Sequence, residues 1–378
     1  MNRVHIGVNL LWLVPGVVGG SEEYTTRLLA ARLELPSDDI DVTLFVLRPF
    51  LDAYPELVAA YPTVVCPIGG GSKAIRVLAE ATWLARQSRR RRIDVMHHAG
   101  GTIPLLRTTP SLLTIHDLQP LLLPDNFSRV KHVYLRWRLA PSARKARLIV
   151  TLTEYTKATI VERLQVPASR IDLVRPGYTS VLAEDPVGDP AATYDIHSPF
   201  FVYPAITYPH KNHEVLLEAF ALLREEHPDV LLVLTHREDQ MGVRLSELAV
   251  SLGIESGLRR LGHIDRGDLN WLYRNAVALT FPSRFEGFGL PVLEAMGHGC
   301  PVIAAAATAL PEVVGDSGIL VDPDDAAAWA RAMAEVLTDG ERRAWLAEAA
   351  IARTAEFRWS SSARELQQVY ERAAGDRS

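Results

Sequence analysis

Short apolar runs alternate with stretches of helical periodicity along the whole chain. In the first half the runs at residues 4–10, 41–47, 63–68, 94–98, 111–115, 148–152 and 171–174 predict strands. Helical patterns fill residues 22–34, 74–87, 130–145 and 155–164, the last opened by Thr153 as an N-cap. Residues 178–199, rich in Pro, Gly and Asp and without apolar periodicity, read as a linker. The alternation then restarts, with strands at 200–204, 230–235, 258–261, 276–281 and 301–304 and helices at 214–225, 243–252, 269–274 and 290–297. Ala-rich helical segments at 326–337, 341–352 and 361–373 end the chain. Such alternation is the pattern of parallel sheets covered by helices on both faces. The predicted fold class is therefore α/β, two Rossmann-like, doubly wound parallel-sheet domains in tandem. The expected divisions are 1–185, 196–360 and a closing helix at 361–378 that returns to the first domain. In open α/β sheets ligands bind beyond the carboxyl ends of the strands, so two such domains are expected to face a cleft lined by loops of both.

Length and composition agree with two ordinary globular domains: 378 residues, 48% hydrophobic and 22% charged. Cys66 and Cys300 are too far apart for a zinc or redox motif and too few for a disulfide framework, which points to a reducing, cytoplasmic compartment. Residues 6–20 are uncharged, but fifteen residues fall short of the ~20 of a spanning helix, so a buried strand and loop is expected. The net charge of −5 hides a division. Residues 1–185 hold 23 Lys and Arg against 17 Asp and Glu, and residues 186–378 hold 17 against 28.

The segment Pro282-Ser283-Arg284-Phe285-Glu286-Gly287-Phe288-Gly289-Leu290-Pro291-Val292-Leu293-Glu294-Ala295 is a strand end, a loop and a helix start. Gly287 and Gly289 permit close backbone approach, and the N–H groups of Phe288, Gly289 and Leu290 at the helix start favour an oxygen-rich ligand. Glu286 beside such a ligand accepts from sugar hydroxyls, or merely complements the helix dipole. Lys211, in Tyr208-Pro209-His210-Lys211-Asn212-His213 after a strand, suits a diphosphate or is a solvated loop lysine. Gly19-Gly20 opens a helix without the G-x-G-x-x-G pattern, which counts against a nicotinamide-dependent enzyme. His116-Asp117 ends the strand at 111–115, a place where a lone histidine is often structural.

The E-x7-E block, followed by Pro301-Val302-Ile303-Ala304, Leu310-Pro311-Glu312-Val313-Val314-Gly315 and Gly318-Ile319-Leu320-Val321, resembles the retaining nucleotide-sugar glycosyltransferases of family 4, group 1, whose fold is GT-B. The resemblance implies that Glu286 contacts the donor hexose and Glu294 the ribose. It implies that the backbone of Gly287, Phe288, Gly289 and Leu290 holds sugar hydroxyls, and that Lys211 binds the leaving diphosphate. Gly19 and Gly20 would approach the donor phosphate, His116 would lie against the donor sugar, and Gly262-His263-Ile264 would hold the nucleobase, Ile264 included. Glu286, His116 and Lys211 are thus the candidate catalytic residues. Many relatives carry a Gly-Arg pair about five residues before the lysine; here Ala205-Ile206 stand there, leaving Arg284 and His210 as candidates for the second cation.

Transfer of a hexose, mannose first, from a nucleoside diphosphate sugar to a glycan or lipid-linked acceptor is the expected function, in surface polysaccharide or glycolipid assembly. GDP-mannose is the first donor expected and UDP-glucose the second, with no metal strictly required and no other cofactor. The rivals are a nucleotide-sugar epimerase or hydrolase of the same fold and a non-catalytic nucleotide-sugar binding protein. Arg86, Arg89, Arg90, Arg91 and Arg92, with the basic-aromatic run at 129–147, read either as a solvated helix face or as a peripheral contact with an anionic membrane on its inner face. A nucleic-acid partner is not expected from an acidic protein without a recognition motif.

Overall fold

The computed structural model describes residues 3–17, 19–36, 39–124, 129–179, 185–235 and 240–375. Val18, within the glycine loop, and residues 180–184 of the expected linker lie outside the described residues, as do the side chains of Val130 and Lys131. The chain forms two compact units, one of Met1–Gly177 with Trp359–Ser378 and the other of Tyr178–Arg358.

The first unit is built on a parallel sheet of β1 (Val4–Asn9), β2 (Ile40–Leu47), β3 (Thr63–Cys66), β4 (Val95–His98), β5 (Ser111–Thr114), β6 (Leu148–Thr151) and β7 (Ile171–Leu173) in the order β3-β2-β1-β4-β5-β6-β7. Its strands β4, β5 and β6 are buried at every position, as expected of a parallel sheet covered by helices on both faces. The order reverses between β1 and β4, so the loops after these strands diverge and leave room beyond their carboxyl ends. The helix expected at 74–87 is interrupted: Lys73–Ala79 and Ala85–Arg90 flank a π-helical turn at Glu80–Leu84. Thr153 caps helix Glu154–Leu164 by accepting from the Thr156 N–H, as its position predicts.

Helix Trp359–Ala374 belongs to this unit. It buries Trp359, Leu366, Val369 and Tyr370, and the Tyr370 hydroxyl lies 2.9 Å from Nδ1 of the buried His97 on β4. Gly177 makes the return passage: a Cβ there would fall 2.2 Å from the Trp359 nitrogen.

The second unit holds β8 (Phe200–Tyr203), β9 (Leu231–Leu234), β10 (Leu258–Arg260), β11 (Ala278–Phe281), β12 (Val302–Ala305) and β13 (Ile319–Val321), all parallel, in the order β10-β9-β8-β11-β12-β13. The passage read as a linker is partly structured. Asp189 caps a one-turn helix at Pro190–Thr193, Pro190 and Ile196 are buried, and Asp195 pairs with Arg259 at 2.8 Å. The reason is local capping and burial, which composition alone does not reveal. Among the described residues no helix is long and apolar enough to cross a membrane. Both cysteines are free and buried.

Candidate active site

In the second sheet the order reverses between β8 and β11, which are neighbours although 75 residues separate Lys211 from Glu286. The loop after β8 carries Lys211 and the loop after β11 carries Glu286. Three bonds stitch these loops. The His210 carbonyl accepts from the Arg284 N–H at 2.8 Å and from the Ser283 hydroxyl at 3.3 Å, and Asn212 Nδ2 donates to the Pro282 carbonyl at 3.2 Å. Asn212 stands in the left-handed region at φ 59° and also donates to the Pro323 carbonyl at 2.6 Å, so it is a pin between segments. Beneath it the buried Tyr203 hydroxyl donates to the Lys211 carbonyl at 2.6 Å. Burial first, and then the charge of Glu286, push that phenol well above its ordinary range.

With the backbone fixed, Lys211 Nζ lies 2.6 Å from Glu286 Oε1 and 5.5 Å from the centre of the Phe281 ring. The two side chains are only 15% and 13% exposed, so this ion pair is shielded from solvent. The Glu286 N–H donates to Thr308 Oγ1 at 2.9 Å, which sets the carboxylate's root. Phe285 and Phe288 on either side are buried, Phe288 edge-on to Phe357. Gly289 must be glycine, because its φ is 99° and a Cβ would fall 2.8 Å from Leu310 Cδ2. Helix Leu290–Gly297 starts there, and the N–H groups of Phe288, Gly289 and Leu290 open its N-terminus beside Glu286. Cation, carboxylate and helix N-terminus thus share one carboxyl edge, a set whose chemistry suits an anionic, hydroxyl-rich ligand.

Glu294, one turn inside that helix, accepts from Arg266 Nη1 at 2.6 Å. His298 Nδ1 donates to the Glu294 carbonyl at 2.9 Å, and its pKa is lowered, by burial first. Ile264 is half-buried in the loop between β10 and helix Arg266–Asn275, where Gly262 at φ 71° has nothing within 4 Å of its missing side chain. Of the candidates for the second cation, Arg284 pairs with Asp324 at 2.6 Å on the surface, whereas burial, then the charge of Lys211, push His210 down to about 4, so His210 is neutral near pH 7 and supplies no charge there. Arg266 escaped sequence reasoning because nothing local links it to a glutamate 28 positions away.

In the first unit the glycine loop follows β1. Gly19 has φ 68° and faces open space, and its carbonyl accepts from the Glu22 and Glu23 N–H groups as helix Gly20–Arg32 begins. Glu22, also unnoticed in the sequence, braces the loop by accepting from the Gly16 N–H at 3.1 Å and from the Tyr54 hydroxyl at 2.5 Å. His116 follows β5. Its Nε2 donates to the Ala99 carbonyl at 3.1 Å, while burial pushes its pKa down to about 4. The ring is therefore neutral near pH 7, and its Nδ1, buried and without a hydrogen bond, keeps a lone pair able to accept one. Asp117 Oδ1 accepts from the Gln119 N–H at 2.8 Å. The structure brings together Lys211, Glu286 and the 287–290 backbone, with Glu294 on the same short helix; His116, Gly19 and Gly20 belong to the first unit.

Residues 195–353 match the family model described as glycosyl transferases group 1, and residues 18–180 match that of glycosyltransferase family 4. The chain is 28% identical over 288 residues to O-antigen chain mannosyltransferase B of Escherichia coli, covering 73% of this chain and 74% of that protein. To O-antigen chain mannosyltransferase RfbU of Salmonella typhimurium it is 26% identical over 327 residues, covering 84% and 87%. Its fold is similar to that of sucrose-phosphate synthase from Thermosynechococcus elongatus, with a TM-score of 0.76 at 20% identity over 98% of this chain and 99% of that one. With both units matched in their sequence order, and with the E-x7-E glutamates set at the carboxyl edge of the second sheet, the chain belongs to the group 1, family 4 glycosyltransferases of the GT-B fold.

Proposed function

We propose that this glycosyltransferase moves a hexose, mannose in the first instance, from a nucleoside diphosphate sugar to a hydroxyl of a glycan or lipid-linked acceptor, with retention at the anomeric carbon. The observation that carries this reading is the shielded Lys211–Glu286 pair next to the N-terminus of helix Leu290–Gly297. The two O-antigen mannosyltransferases support mannose and polysaccharide assembly, and GDP-mannose is accordingly the donor proposed ahead of UDP-glucose.

In the proposed step the bond from the anomeric carbon to the diphosphate oxygen breaks with its electron pair going to the diphosphate. The acceptor oxygen forms the new bond on the same face, and its proton passes to the departing phosphate oxygen. Negative charge develops on the leaving group, and Lys211 with the 288–290 N–H groups meets it without a metal ion being required. Glu286 accepts from the hexose hydroxyls and faces the positive sugar ring with its carboxylate. His116, neutral, accepts from a donor-sugar hydroxyl through Nδ1, and Gly19-Gly20 lets backbone approach the phosphate. Ile264 and its neighbours hold the base. We assign the protein to the cytoplasm, with the exposed basic face of its first unit resting on an anionic membrane.

Incubation with GDP-mannose, UDP-glucose and other nucleotide sugars, with and without a lipid extract, tests the reading. Release of nucleoside diphosphate that depends on the extract, with the sugar recovered at unchanged anomeric configuration, is expected. Equal release without acceptor would make the protein a hydrolase, and binding without turnover a nucleotide-sugar binding protein.

A further inference from the structure

Glu294 is held at both its main chain and its side chain. His298 fixes the carbonyl, and Arg266 Nη1 lies 2.6 Å from Oε1 of the carboxylate. The pair is not a surface ornament: the guanidinium side chain is 28% exposed and the carboxylate 16%. Pairs that are mostly withdrawn from water, with one planar partner, keep their geometry far better than exposed lysine pairs.

Arg266 is itself rigidly placed. It is the first residue of helix Arg266–Asn275, whose start is capped by Asp265 accepting from the Asp268 N–H at 2.8 Å. Its neighbour Gly267 has no room for a side chain, since a Cβ there would fall 2.7 Å from the Asp185 carbonyl oxygen. The helix therefore neither slides nor turns without displacing that stretch of backbone. Arg266 also comes directly after the 262–265 loop, at the carboxyl end of β10, so it joins that loop to the carboxylate on the neighbouring helix.

We infer that Arg266 is a positioning residue for nucleotide recognition: it orients the Glu294 carboxylate so that its oxygens accept from the vicinal hydroxyls of a ribose. The inference rests on the proposed contact of Glu294 with the ribose. A glutamate on a helix has three side-chain torsions, and a carboxylate left to sample them must be ordered when the nucleotide arrives. Arg266 removes that ordering step in advance, which is worth about 3- to 10-fold in affinity for the ribose-bearing ligand. It contributes nothing toward a ligand that lacks the hydroxyls.

The test is calorimetric titration with GDP and UDP and with their 2′,3′-dideoxy counterparts, on wild type, Arg266→Ala, Arg266→Lys, Glu294→Ala and the double Ala variant. Wild type is expected to prefer the ribose form of the nucleotide it binds by tenfold or more, and Glu294→Ala to lose that preference. Arg266→Ala should cut the preference at least threefold while leaving the dideoxy affinity unchanged, Arg266→Lys should restore part of it, and the double variant should be no worse than Glu294→Ala. Equal weakening of ribose and dideoxy forms in Arg266→Ala, with Arg266→Lys melting as wild type but restoring nothing, would mean a merely structural clamp and would overturn the inference. So would a wild-type preference in Arg266→Ala when Glu294→Ala has lost it. If Glu294→Ala keeps the full preference, the ribose contact itself is wrong and the inference falls with it.

Discussion

Lys211 and Glu286 hold each other at 2.6 Å, so the cation proposed for the leaving diphosphate and the carboxylate proposed for the hexose neutralise one another. Donor binding has to share or replace that bond. The pair keeps two charges stable in a shielded place until a ligand carrying both a diphosphate and hydroxyls takes over each partner.

Lys211→Ala should leave the fold intact, since the side chain lies at a loop and its main-chain bonds to Tyr203 and Tyr208 do not depend on it. Nucleoside diphosphate binding should weaken by ~1.5 to 3 kcal/mol, the range of a charge-assisted contact, and toward the lower end because wild type must first loosen the Glu286 bond. Nucleoside monophosphate should lose much less. Calorimetry with equal losses for the two nucleotides would show that Lys211 does not reach the distal phosphate.

Glu286→Gln preserves the shape and removes the charge that restrains Lys211. Turnover should fall by ~10² or more, while free nucleoside diphosphate binds at least as tightly as to wild type. Glu294→Ala should chiefly raise the donor KM. Steady-state kinetics placing both variants within twofold of wild type would remove the basis of the site.

Strands with unbroken apolar runs were the most legible: the run at 200–204 is β8, Phe200–Tyr203, buried at every position. Short pieces were found unevenly: β7 and β10, three residues each, were read as strands and β13 of equal length was not, while helices Pro49–Ala53 and Pro55–Ala60 begin at prolines and are too short to show a period. The π-helical turn at Glu80–Leu84 leaves no periodic mark distinct from a helix. The E-x7-E glutamates could be found because both lie in one segment. Their cationic partners could not be assigned, because Lys211 and Arg266 reach them through strand order, β8 beside β11 and β10 at the far edge, and strand order is not written in local pattern.

Acid should destabilise the protein. Burial holds His97 and His98 at about 3 and His116 and His210 at about 4, and also lowers His298. An unfolded histidine titrates near 6.5, so below that pH the unfolded chain binds more protons than the folded one, and stability falls as pH drops from about 6.5 toward 4. Two carboxyls oppose this: burial raises Glu80 to about 7 and also raises Glu365, so each holds its proton more tightly in the fold than in the unfolded chain. The histidines outnumber them, so between pH 7 and 5 the stability should fall by ~1.4 kcal/mol per pH unit for each net proton, and the melting temperature should decline with it. His98→Asn should flatten that decline. A melting temperature that is constant or rises over this range would mean that the histidines are not held neutral.

The first unit should meet an anionic membrane through one face. Helix Ala85–Arg90 and the turn after it expose Arg86, Arg89, Arg90, Arg91 and Arg92. Thr108 ties the loop at 101–110 to that helix through the Ala85 carbonyl, and Arg107 ties the same loop to the Lys145 carbonyl at 3.0 Å, so the two basic elements are joined. Helix Arg129–Lys145 exposes Arg129, Arg136, Arg144 and Lys145, with no acidic residue anywhere from 126 to 153. Arg138 is not part of this face: it is buried and donates to the Ile103 carbonyl, holding the loop in place. Apolar side chains stand among the cations, Leu105 57%, Leu106 61%, Val133 65% and Trp137 60% exposed, and a basic face carrying a tryptophan is suited to the headgroup layer. Each basic residue near such a surface adds about 1 kcal/mol, screened within ~8 Å at physiological salt, so binding should be weak and reversible. The protein should sediment with anionic vesicles at low salt, be released at about 0.5 M salt and ignore neutral vesicles. Changing Arg89, Arg90, Arg91 and Arg92 to Gln should weaken sedimentation mainly at low salt, whereas Trp137→Ser should weaken it at every salt concentration, because the insertion of a ring is not screened. Wild type that never sediments with anionic vesicles would leave these side chains as a solvated helix face, and a soluble acceptor would then replace the lipid-linked one in the proposed reaction.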